Sequence, residues 1–69
     1  MNIVGHNVKK RREHLGWTQE QFVAKCNLIE WNISRSTAAK IESKVRRVTD
    51  IEVLILAKVL KVKVDILFQ

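Results

Sequence analysis

The sequence predicts an all-α fold, five short helices around one core. Three observations point to it: side-chain caps recur at spacings that start helices, apolar residues repeat with helical period, and the 69 residues include no proline and only two glycines. A chain this short is read as a single domain over residues 1–69, and a core of that size typically supplies only about 3 to 5 kcal/mol of stability. Hydrophobic content of 46% beside 29% charged residues fits a folded soluble protein rather than a disordered one.

Helix one is expected from about Val4, with Gly16 after Leu15 as its left-handed C-terminal residue. Thr18 and Gln21 form a T-x-x-Q capping box: the threonine hydroxyl accepts from the third amide while the glutamine reaches back. Helix two starts there, carries Phe22, Val23 and Cys26 on one side, and fades after Leu28. A turn from Asn27 to Ile33 contains Trp31. Ser34 then offers an oxygen to the first amides of helix three, which reaches Ser43 or Lys44. On a helical wheel Ala38, Ile41 and Val45 share the inner face, and Ser36, Lys40 and Ser43 the outer.

Helix four opens with a second box, Thr49 with Glu52, and Asp50 in its first turn suits the positive helix end. It runs to about Leu60. The last apolar segment, Val64 to Phe68, reads as a final helical turn or two, with a strand as the alternative because of its β-branched residues.

Several function classes fall away. The longest apolar run, Val53 to Ala57, is far short of the roughly 18 residues of a membrane span, and no signal-peptide pattern opens the chain, so a cytoplasmic location is expected. Cys26 is the only cysteine and reads as a small core residue; with His6 and His14 it makes no metal-ligand spacing, and no cofactor is implied. No nucleophile and base arrangement, paired carboxylates or phosphate-cradling loop stands out, which argues against an enzyme. Thirteen Lys plus Arg against seven Asp plus Glu leave a net charge of +6, which suits a polyanionic partner, although small basic proteins also use such charge for solubility. The run Lys9 to Arg12 spreads over several directions on a helix and reads mostly as a solvated face.

Position turns this into a functional reading. Two consecutive capped helices, the second with short polar side chains outward, have the pattern of a helix-turn-helix, in which an α-helix enters the major groove and small side chains let its backbone approach the base edges. The segments TQEQFVAK (residues 18–25) and ISRSTAAKIE (residues 33–42) resemble the phage repressor and Cro-like (XRE) helix-turn-helix family, over Val4 to Phe68. That resemblance implies a five-helix, lambda-repressor-like DNA-binding domain. It also implies an ion pair between Arg12, ahead of Leu15 and Gly16, and Glu42 at the close of helix three; the helical wheel puts Glu42 toward the inner side.

Carried over by position, the resemblance gives Arg35, Ser36 and Lys40 as base contacts, with Arg35 the strongest because its two donors match guanine O6 and N7. Gln19 falls on a phosphate-contacting position with Thr18 beside it. Ser34, Arg46 and Arg47 complete the expected backbone contacts, which fix register without reading sequence. The chain also departs from the pattern. The turn is long and lacks glycine, so helix two is expected to extend by a turn with Trp31 plugging the gap, an exposed Trp31 contact being the alternative. Lys44 stands where a glycine normally ends helix three, and Arg11 at a usually apolar position, its stem along the core and its head near phosphate.

Helix four carries more apolar surface than one inward face needs. Val53, Leu56, Ala57 and Leu60 form the inner stripe, while Ile51, Ile55 and Val59 form a second at i, i+4 and i+8. Either the C-terminal segment Val64 to Phe68 folds over that second stripe or another subunit covers it; a homodimer is the expectation, two recognition helices then meeting half-sites about 34 Å apart on a double-stranded DNA operator. The leading expectation is a transcriptional repressor. The rival is an antitoxin-like or adaptor module of the same fold whose main partner is a protein.

Overall fold

Side-chain caps start three of the four α-helices. In the computed structural model, which describes residues 2–69, α1 spans Gly5–His14, α2 Gln19–Leu28, α3 Arg35–Glu42 and α4 Asp50–Leu60. Both capping boxes form: Thr18 and Thr49 accept from the amides of Gln21 and Glu52, whose side chains return to the cap amides. Ser34 Oγ accepts from the Thr37 amide at 3.1 Å. Helix α1 begins differently, on Asn2, whose Oδ1 accepts from the amides of Val4 and Gly5 at 3.1 and 2.8 Å.

All four helices end in the same left-handed turn. At Gly16, Glu30, Lys44 and Lys61 the backbone has φ of +75, +66, +68 and +58°, and in each case the next amide returns to a carbonyl five residues earlier. Trp17 and Trp31 are two of those next residues, and both lie half-buried against the core. Glu30 therefore stops α2 at Leu28, and the expected extra turn does not form; Trp31 packs in from the Schellman turn instead of from a continued helix.

Helix α1 packs on α3 and α4, α2 on α3 and α4, and the C-terminal segment on α1 and α4. The core is Val4 and Val8, Phe22 and Cys26, Ala38 and Ile41, most of one side of α4, and Leu67. Burial pushes the Cys26 thiol up to about 12, so it stays protonated and serves as apolar filler. Asn2 staples this arrangement, donating from Nδ2 to the carbonyls of Ile41 and Arg46 at 2.7 and 3.0 Å. Gly5 makes the approach of α1 to α3 possible, since a β-carbon there would stand 2.1 Å from the Ile41 carbonyl oxygen.

Two expectations are corrected and one is refined. The expected final helical turn over Val64–Phe68 forms as a 3-10 helix beside four α-helices, and no strand occurs among the described residues. Five residues, two of them β-branched at Val64 and Ile66, are too few for a packed α-helix, and the segment is held instead by Asn7, whose Nδ2 donates to the carbonyls of Leu67 and Gln69. Val45 is exposed, because the left-handed Lys44 turns the chain off the α3 axis before it. The second stripe of α4 does not stay outside: Val59 is buried and Ile55 packs half-buried against the core, because α1, α2 and the 3-10 helix wrap α4 on more than one side. Ile51 remains exposed, together with Leu54.

Candidate nucleic-acid interface

Helix α3 turns Ala38, Ile41 and Glu42 inward and leaves Arg35, Ser36, Lys40 and Ser43 exposed. Its outer face is thus a short hydroxyl at Ser36 and another at the C-cap Ser43, a lysine between them, and an arginine at the first position. The first amides of the helix have no intrahelical partner, and Ser34 satisfies one of them.

A buried charge network holds this helix in place. Arg12 meets Glu42 with both prongs of its fork, Nε to Oε2 at 2.6 Å and Nη2 to Oε1 at 3.1 Å, with 10% and 3% of the two side chains exposed. The remaining Arg12 nitrogen, Nη1, donates to the Trp17 carbonyl at 2.6 Å. Gln19 Nε2 adds a donor to Glu42 Oε1 at 3.1 Å. One carboxylate at the end of α3 is therefore tied to α1 and to the start of α2, and among the described residues no buried side-chain polar atom lacks a partner.

The other expected contacts divide. Thr18 and Ser34 are exposed at the N-termini of α2 and α3, each already capping its own helix. Gln19, expected on a phosphate, gives one of its two side-chain N–H donors to Glu42, which leaves the other N–H and its main-chain amide in the first turn. Arg46 is a correction: it is half-buried and bidentate on Glu52, Nη1 to Oε1 at 3.0 Å and Nη2 to Oε2 at 2.8 Å, with Nη1 also on the Arg47 carbonyl. The loop after α3 lies against the first turn of α4, where Glu52 sits, and the pair closes that approach. Hydrogen bonding to Arg46 holds the Glu52 carboxyl below its ordinary value, and the same bond raises the Arg46 guanidinium further. Arg47 is exposed and makes no side-chain ion pair among the described residues. Arg11 is also redirected: its Nε donates to the Leu60 carbonyl at 3.1 Å, where a cation suits the negative end of α4.

Sequence reasoning leaves Glu20 to solvent or a ligand and misses its pairing with Arg35. Its Oε1 accepts from Arg35 Nη1 at 3.2 Å, joining the first turns of α2 and α3 across solvent, with 73% and 66% of the side chains exposed. Fifteen residues separate the two, and no local spacing rule connects them.

The exposed apolar residues lie elsewhere on the chain. Ile51 and Leu54 on α4, Ile3 and Phe68 at the two ends, Leu28 at the last position of α2 and Val45 in the turn after α3 all face solvent. Ile3 and Phe68 also line a small surface pocket together with Val4, Val48, Asp50 and Val53.

A family model described as helix-turn-helix matches residues 8–67. No curated protein and no solved structure matches the chain. Among the described residues no helix is long and apolar enough to cross a membrane.

Proposed function

Because the chain belongs to the XRE-type helix-turn-helix family, and so to a family of DNA-binding regulators, we propose that it represses transcription by placing α3 in the major groove of an operator. The observation that carries this reading is the contrast between the two sides of α3. Its inner side is locked by the buried Arg12 and Glu42 pair, while its outer side is exposed, polar and cationic at Arg35, Ser36 and Lys40. A reading helix must be held rigidly and must present donors to base edges, and both conditions favour this element.

Arg35 reads a guanine through two donors, a contact worth about 1 to 3 kcal/mol of discrimination, with Ser36 and Lys40 as secondary contacts. Thr18, Ser34, Arg47 and the main-chain amide of Gln19 grip phosphates. The 69 residues act as one binding unit. Two copies, joined through the α4 surface around Ile51 and Leu54, span half-sites about 34 Å apart on a pseudo-palindromic operator.

Selection from a random duplex pool tests the reading, because it reports operator sequence, symmetry and spacing together. An enriched sequence is expected, with Arg35→Ala relaxing one or two of its base pairs. Arg47→Ala should weaken all duplexes alike and lower the salt slope by about one. A pool that yields no enriched sequence removes the proposal. The exposed Ile51, Leu54, Ile3 and Phe68 favour a second reading, a protein-binding module whose DNA contact is secondary. Light scattering on a sizing column separates the two, since a clean monomer that still selects an operator leaves that surface with no role in DNA binding.

A further inference from the structure

We propose that Glu20 is a specificity-determining residue: its carboxylate presets the Arg35 guanidinium so that the Nε and Nη2 edge remains available for a guanine. The inference rests on the reading of Arg35 as a base-contacting residue. Glu20 occupies Nη1 alone, through one hydrogen bond of 3.2 Å, and Arg35 has no other side-chain partner among the described residues. Arginine binds guanine with two parallel donors, and Nε with Nη2 forms one such edge.

The contact acts on recognition rather than on folding. As an exposed ion pair it contributes little to folding. An unrestrained arginine, however, gives up rotamer freedom when it docks, and a contact that narrows its rotamers beforehand reduces that cost only where the arginine is used. Arg35 is also a cation in the first turn of α3, where the helix end is itself positive, and Glu20 offsets that repulsion from the first turn of α2. The carboxylate meanwhile repels phosphate on every duplex, whatever its sequence. Its removal therefore separates two quantities that most interface substitutions change together: affinity for any DNA rises, and discrimination falls.

The test uses the intact chain, the duplex recovered by selection, each single-base variant of that duplex, and an unrelated duplex. Dissociation constants are measured for the parent, Glu20→Gln, Arg35→Ala and the double variant; both sites are exposed, and unchanged helical circular dichroism verifies folding. Glu20→Gln is expected to lower discrimination roughly threefold to tenfold at the base pairs that Arg35→Ala relaxes, and to bind the unrelated duplex more tightly. In the Arg35→Ala background it should change discrimination no further. Equal changes on every base variant overturn the proposal. So does a loss that persists in the Arg35→Ala background, or a gain in discrimination, which would make Glu20 a competitor for the arginine. If Arg35→Ala alone discriminates as well as the parent, the base-reading role of Arg35 fails, and this inference fails with it.

Discussion

Arg12 and Glu42 carry opposite charges into a place that water barely reaches, and each is satisfied only because the other is there. Removing one partner of such a pair leaves an uncompensated buried charge at a cost of about 3 to 5 kcal/mol. That is as much as a core of this size typically supplies, so Glu42→Ala is expected to abolish the cooperative thermal transition at room temperature. Replacing both members with apolar residues of similar volume should restore a transition, which calorimetry would detect. Arg46 and Glu52 are a milder case at the same scale. Folding holds the Glu52 carboxyl below its ordinary value near 4.5, so the stabilisation from this group is complete above that pH and drains away as pH falls through the folded value. Urea unfolding across the acid range should therefore show a loss of stability in the parent that Glu52→Gln does not share.

At the scale of the element, helix starts and helix ends obey different rules. Every capped start uses a side-chain oxygen within three residues of the amide it serves, which is why Thr18, Ser34 and Thr49 were legible in the sequence. The ends share one backbone geometry but only one glycine, Gly16; Glu30, Lys44 and Lys61 hold positive φ with a β-carbon present. Each of those three should gain about 0.5 to 1 kcal/mol on replacement by glycine, read as a rise in Tm, where about 1 kcal/mol corresponds to ~4–8 °C in a domain of this size. Gly16→Ala should lose a comparable amount. Nothing lies within 4 Å of the added β-carbon, so that loss is conformational and not steric.

For the whole molecule the question is which apolar surface remains once the helices have packed. The sequence offered a stripe of Ile51, Ile55 and Val59, but the packing of three elements around α4 buries Val59, half-covers Ile55 and leaves Leu54 outside with Ile51. The proposed dimer must therefore use Ile51 and Leu54. Ile51→Lys with Leu54→Lys is expected to convert a dimer to a monomer by light scattering and to remove the dependence of binding on half-site spacing. An unchanged dimer would move the interface to other exposed apolar residues, such as Leu28 or Val45.

The helical class, the three capped starts, the inner stripe of α4 and the polar outer face of α3 were all readable along the chain, because each depends on residues no more than a turn or two apart. The Arg12 and Glu42 partnership was reached through resemblance, thirty residues being too far for a spacing rule. Folding settled the rest. Asn2 meets the carbonyl of Ile41 across 39 residues, Arg46 turns to Glu52, and Arg35 finds Glu20. The left-handed ends at Glu30, Lys44 and Lys61 belong with these. A non-glycine residue accepts that geometry only when packing of the adjoining chain compensates for it, and such compensation comes from neighbours distant in the sequence.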